Sequence, residues 1–133
     1  MSGLLDTSVV VRYLTGDPPE MAELAAHIID EGEELQVTDV VLAETAYVLT
    51  TVYRVARAIV VDHLTAFLQK ENISPFALDK GVVLQALLLC RPSARVSFAD
   101  AMVWAAARST GSRVVYSLDQ RFPEDGVEVR RSG

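Results

Sequence analysis

Scarcity sets the first limits on this chain. It has a single cysteine, Cys90, which excludes an internal disulfide and any multi-cysteine zinc site. Its two histidines, His27 and His63, fall on different predicted helices without metal-ligand spacing. No apolar run approaches the ~18 uninterrupted residues that a membrane span needs. No basic start followed by an apolar core and a cleavage site is visible, so a secretory signal is not expected and a reducing cytoplasm is the default location. There is no GxxxxGK[ST] loop, no G-x-S-x-G elbow and no credible Cys–His pair. Between Arg12 and Arg54 the chain carries no lysine or arginine, while nine acids from Asp17 to Glu44 fall in that interval. The formal charge of -6 argues against a generic nucleic-acid coat, which would be basic.

What is present is a chain of 133 residues, half of them hydrophobic. That length reads as one domain, residues 1–133, able to bury about two-thirds of its unfolded surface without staples. The acid-rich interval reads as a solvated face or a site for a basic partner. Later cations are mostly arginine (Arg54, Arg57, Arg91, Arg95, Arg108, Arg113, Arg121), a side chain suited to bidentate contacts with phosphate or carboxylate.

Taken in order, Gly3-Leu4-Leu5 predicts a first strand ending at Asp6, with a helix over Val9 to Leu14 broken by Gly16-Asp17-Pro18-Pro19. A helix from about Pro18 to Asp30 follows, stopped by Gly32. Leu35 to Thr38 predicts a second strand, and Thr38 or Asp39 can cap a helix running to about Tyr53. Helices are expected over Arg57 to Lys70, from an Asp79 cap through Leu89, and from Ser97 to about Ser109, ending at Gly111. Strands are expected at Ile73 to Leu78, Arg113 to Ser117 and Val127 to Val129. Such alternation predicts an α/β fold with a mostly parallel sheet flanked by helices.

Four acids do not fit a purely solvated role. Asp6 ends the first strand, and the crevice beyond such strand ends is where open α/β sheets bind ligands. Asp119 follows the fourth strand. Glu44 shares helical spacing with Val40, Val41, Tyr47 and Val48, and Asp100 with Val103, Trp104 and Ala107. A carboxylate on an apolar face must be paired, protonated or bound to a metal, because burying a lone charge costs several kcal/mol. Each acid also has a plain reading. Asp6 can cap the next helix, Asp100 can form a capping box with Ser97, Glu44 can pair with a buried arginine, and Asp119 can shape a turn. Asp62 is a weaker fifth candidate. If the acids converge they need a cation, and all-oxygen ligation selects Mg²⁺ or Mn²⁺ over zinc. A carboxylate-held pair of such ions roughly 3.5–4 Å apart can polarise a phosphodiester and activate a water without a histidine acid–base pair.

Leu4-Leu5-Asp6-Thr7-Ser8-Val9-Val10, an acid in the helix after Thr38, Phe98-Ala99-Asp100-Ala101, and Val115-Tyr116-Ser117-Leu118-Asp119-Gln120-Arg121-Phe122 follow in the order seen in PIN-domain proteins. The chain resembles the VapC-type toxins of toxin–antitoxin pairs over nearly its whole length. The resemblance implies a PIN-like three-layer fold with a five-stranded parallel sheet in the order 3-2-1-4-5, which would bring Asp6 and Asp119 together at a switch point. It implies that Asp6, Glu44, Asp100 and Asp119 are catalytic metal-binding acids, with Ser8 and Ser117 as supporting hydroxyls. Many relatives carry a further acid just before the final phenylalanine of the fourth motif, where this chain has Arg121. That departure bears on a second metal and suggests Arg121 as a contact to RNA phosphate. The implied activity is Mg²⁺- or Mn²⁺-dependent endoribonuclease cleavage leaving 3′-hydroxyl and 5′-phosphate ends, by a homodimer silenced by a VapB-like antitoxin.

Two other readings stay open on the residues alone. A haloacid-dehalogenase-like phosphatase wants a second acid two residues after the first, where this chain has Ser8, and a receiver domain wants an adjacent acidic pair where it has Leu4-Leu5. A PIN-like module that binds without cleaving is the other.

Overall fold

Half of the helix starts are written in short polar side chains. In the computed structural model, which describes residues 3–132, the Thr38 hydroxyl accepts the Val41 N–H at 3.2 Å and opens helix α3 (Asp39–Thr51). Asp79 does the same for α5 (Lys80–Cys90), accepting the Val82 N–H at 3.0 Å. Ser97 opens α6 (Phe98–Thr110) through the Asp100 N–H, also at 3.0 Å. Each cap satisfies a backbone donor that has no partner inside the helix. Pro19 starts α2 (Pro19–Asp30), where its missing N–H costs nothing. Helices α1 (Thr7–Thr15) and α6 end at Gly16 and Gly111, both left-handed with φ of 70° and 77°, a conformation that glycine adopts without a Cβ penalty. Helix α4 spans Arg57–Leu68.

The strands are short: β1 (Gly3–Leu4), β2 (Leu35–Val37), β3 (Ile73–Pro75), β4 (Val114–Tyr116) and β5 (Glu128–Arg130). All pair in parallel, but in two ladders. One has the order β1-β2-β3, with Gly3 opposite Leu35 and Leu35 opposite Ile73; the other joins β4 to β5. The strand sequence inside each ladder agrees with the expected 3-2-1-4-5 order, yet a continuous five-stranded sheet is not formed among the described residues. The reason lies in how little of β1 remains. Gly3 and Leu5 both donate to β2, to Glu34 O and Gln36 O. Alternate residues of a strand bond to opposite sides, so only Leu4 is left on the other side of β1 before Asp6 turns the chain into α1. One residue does not make a ladder.

The core lies between these ladders and the helices, around Trp104, Phe67, Leu42, Leu64 and Leu87, each at most 2% exposed. Helix α3 packs on α1, α4 and α6, and α5 on α4 and α6. Three polar ties fix that packing. The Arg57 guanidinium donates to Ser93 O (2.8 Å) and Val96 O (2.6 Å) and lies 4.5 Å over the Phe98 ring, locking the start of α4 to the loop that delivers α6. Trp104 Nε1 donates to Asp125 O at 2.8 Å, pinning the β4–β5 connection to α6. Tyr13 and Lys70 both donate to Asp30 Oδ1, at 2.7 and 3.0 Å, joining α1 to α2 and to the end of α4. No helix among the described residues is long and apolar enough to cross a membrane.

Candidate functional site

Asp6 occupies the N-cap position of α1, but its side chain makes no cap hydrogen bond. The capping explanation for this acid therefore fails, and its carboxylate is turned to other use: Ser8 Oγ donates to Asp6 Oδ2 at 3.0 Å. The next residue, Thr7, reaches across to α3, where its hydroxyl donates to Glu44 Oε1 at 2.5 Å. The packing of α1 on α3 thus brings Glu44 onto Thr7, the residue that follows Asp6.

The second pair is Asp100 and Asp119. Ser97 caps α6 through the Asp100 backbone, leaving the Asp100 carboxylate free of that duty. Burial pushes the Asp100 carboxyl above its ordinary value, and the Asp119 charge pushes it further, against the opposing hydrogen bond to Ser97 and the charge of Arg121. Asp119 is held below the usual range, chiefly by the Arg121 backbone N–H, which donates to Oδ1 at 2.8 Å, with the Arg121 guanidinium adding to it. Ser117 supports the turn rather than the carboxylate; its hydroxyl accepts the Asp119 N–H at 3.1 Å.

The acids therefore stand as two pairs. No hydrogen bond or ion pair joins Asp6 or Glu44 to Asp100 or Asp119. Among the described residues no three His, Cys, Asp or Glu side chains are grouped closely enough to enclose a metal ion. Helix α3, which carries Glu44, packs on both α1 and α6 and so lies between the pairs. The donor set is all oxygen and mostly anionic. That chemistry fits a hard divalent cation and not zinc.

Several expectations need correction. Glu44 is exposed and stands at the edge of its stripe, where Val40 and Tyr47 are 69% and 65% exposed while Val41 is buried and Val48 half-buried; its partner is a threonine and not a buried arginine. Asp62 is accounted for by Arg91, whose Nε and Nη2 grip its two oxygens at 2.9 and 3.0 Å on the surface. Arg121, suggested as a contact to RNA phosphate, keeps 66% of its side chain exposed with Nε 3.4 Å from Asp119 Oδ1. His27 meets Glu31 one turn along the exposed side of α2, a surface position as its sequence context implies.

Thr7 is the residue that sequence reasoning passed over. Its signal was present, a hydroxyl at the first helical position beside Asp6, but its partner lies 37 residues away. A Thr7→Val variant is expected to keep its fold and to lose about 10-fold in kcat, since outer partners that orient metal-ligating carboxylates carry that much. Steady-state rates on an RNA substrate check this, and an unchanged kcat would show that Glu44 needs no steering.

Comparison with curated proteins returned no match. The sequence profile of the PIN domain, in contrast, matches residues 3–126, a span that contains all four candidate acids and both ladders' first strands. With that match covering nearly the whole sequence, the chain belongs to the PIN-domain family, whose members are generally metal-dependent nucleases.

Proposed function

We propose that this chain is a Mg²⁺- or Mn²⁺-dependent endoribonuclease and the toxin of a VapBC-type toxin–antitoxin pair. The observation that carries the reading is the PIN-domain match over residues 3–126, a span that holds all four acids, with the Asp119 charge acting on the part-buried Asp100 carboxyl. Like charges so close cannot both ionise cheaply without a cation. In this reading Asp6, Glu44, Asp100 and Asp119 hold the metal. A bound divalent ion there supplies Lewis acidity toward the phosphodiester and an activated water. The chain's own residues do the rest. Ser8 fixes the Asp6 oxygen it touches, Thr7 fixes Glu44, and the Ser117 turn presents Asp119.

Partners follow from the surface. Val40 and Tyr47 on α3 and Val103 on α6 are exposed beside the acids, and apolar area of this kind supports a homodimer and a further protein contact. The arginine- and lysine-free interval from residue 13 to residue 53 supports an antitoxin with a basic segment. A module that binds RNA without cutting it is the second reading, favoured by the separation of the acids into two pairs. Sequencing RNA ends after a brief pulse of expression, beside an Asp6→Asn control, decides between them. New 5′-phosphate ends are expected with the wild type and none with the variant; the same ends in both, or in neither, would reject the nuclease.

A further inference from the structure

A cavity lies between the α5–α6 loop and the turn that follows Asp119. Its volume is about 480 Å³, within the range of pockets that hold a small molecule. Buried Val96, Phe122 and Pro123 supply apolar lining, while Arg95, Gln120 and Glu124 bring polar side chains to it. Neither the Arg95 guanidinium nor the Gln120 amide has a hydrogen bond or ion pair to another described residue. Both walls are fixed: Arg57 holds Ser93 O and Val96 O on one, and Trp104 Nε1 holds Asp125 O on the other. The walls also lead to the acids. Gln120 and Phe122 belong to the turn in which the Phe122 N–H donates to Asp119 O at 3.2 Å. Arg95 and Val96 run into Ser97, whose hydroxyl holds the Asp100 N–H. An occupant of the cavity is therefore held against the two segments that carry Asp119 and Asp100.

We infer that this cavity receives one unpaired guanine base of the RNA, beside the phosphate that is cut. The inference rests on the RNA-cleaving reading above and names the feature by which the strand is chosen. A flat base suits apolar walls carrying a few polar groups, and unstacked bases are what sequence-reading RNA proteins grip. A phosphate is disfavoured here, because Glu124 and Asp125 bring negative charge to the same lining. The bases differ in what they offer. Guanine presents O6 and N7, the acceptor pair that a guanidinium meets bidentately, and on its other edge N–H donors that suit a carboxylate. Arg95 and Glu124 supply that combination, and the Gln120 amide can donate or accept beside them. Adenine, with a donor at N6 in place of O6, lacks the acceptor pair.

The four ribonucleosides carry no phosphate and so probe the cavity by itself. Each is titrated into the full chain in metal-free buffer while proton–nitrogen NMR follows the Gln120 side-chain amide, the Arg95 Nε–H and the Trp104 Nε1–H, which bonds Asp125 O. Guanosine is expected to shift all three saturably and to bind most tightly of the four. Gln120→Ala and Arg95→Ala, both at exposed positions, should each weaken it about 3–10-fold, the share of a hydrogen bond or two. No saturable shift, tighter binding of another nucleoside, or unchanged affinity in both variants would overturn the inference. Sequencing of RNA ends then locates the base: the wild type should favour guanine at one fixed position beside the cut, and Gln120→Ala should lose that preference. An even base distribution beside wild-type cuts would also overturn it. Guanosine held in the cavity of a protein that makes no new RNA ends would keep the base site and reject the nuclease, a distinct result.

Discussion

Asp100→Asn is expected to abolish RNA cleavage while making the metal-free protein harder to melt. The first effect follows from charge: an amide is a poor ligand for a hard cation, and changes merely next to a metal ligand already cost about 10–100-fold, so losing a ligand should exceed that range. The second follows from the environment of Asp100, where burial and the Asp119 charge raise its carboxyl above the ordinary value. Above the raised folded-state value both folded and unfolded chains have this group ionised, and only the folded one carries the penalty. As pH falls through the raised folded-state value, the folded chain takes up the proton first and the penalty fades; below the ordinary carboxylate range it is gone. The variant should therefore out-melt the metal-free wild type at pH 7, with the difference shrinking on acidification. Added Mn²⁺ should reverse the ranking, because an ion at 100 times its dissociation constant stabilises its host by about 2.7 kcal/mol. Thermal melts at two pH values with and without Mn²⁺ check all of this. Cleavage by Asp100→Asn at the wild-type rate in EDTA would remove the metal site from consideration.

The largest loss of stability is expected at Trp104. Its ring is 2% exposed, its Nε1 holds Asp125 O at 2.8 Å, and the Arg108 guanidinium lies 5.2 Å over its face. Truncation to alanine opens a cavity and should cost about 3–5 kcal/mol, or roughly 2–8 °C in melting temperature for each kcal/mol. Trp104→Phe keeps much of the ring but leaves the Asp125 carbonyl with only the longer Arg108 Nη1 contact at 3.4 Å, and should cost about 0.5–1.5 kcal/mol. The consequence extends past stability. Asp119 sits in the connection that Trp104 pins to α6, the helix carrying Asp100, so Trp104→Phe should also weaken Mn²⁺ binding. Urea unfolding of both variants beside Mn²⁺ titration tests the argument; equal losses in the two variants would show that the hydrogen bond, and not the packing, holds this corner.

How much of this could be read from the sequence depends on the range over which each feature is decided. Thr38, Asp79 and Ser97 announce their helices because a cap is settled within three residues, and Gly111 ends α6 for the same reason. Alternating strands and helices gave the α/β class. The break between β1 and β4 was not legible, because it turns on Leu4 alone facing the gap once Gly3 and Leu5 have bonded to β2. Periodicity showed that Glu44 shares an apolar stripe but could not show that Val40 and Tyr47 face outward. Contacts between distant residues were out of reach: Thr7 with Glu44, Arg91 with Asp62. The family resemblance put Asp6 beside Asp119, whereas the charge that acts on Asp100 is that of Asp119; no local pattern joins residues in a helix and in a turn.

The positions of Asp6 and Asp100 along their helices have an electrostatic consequence. Asp6 is the residue at which α1 begins, and Asp100 lies in the opening turn of α6. Aligned peptide dipoles leave about half a positive charge at the amino end of each helix. Two of the four acids thus rest against backbone charge that no chelator strips away, though salt screens it. That offsets part of the mutual repulsion, allowing the polypeptide to fold and wait with its acids assembled before any ion arrives.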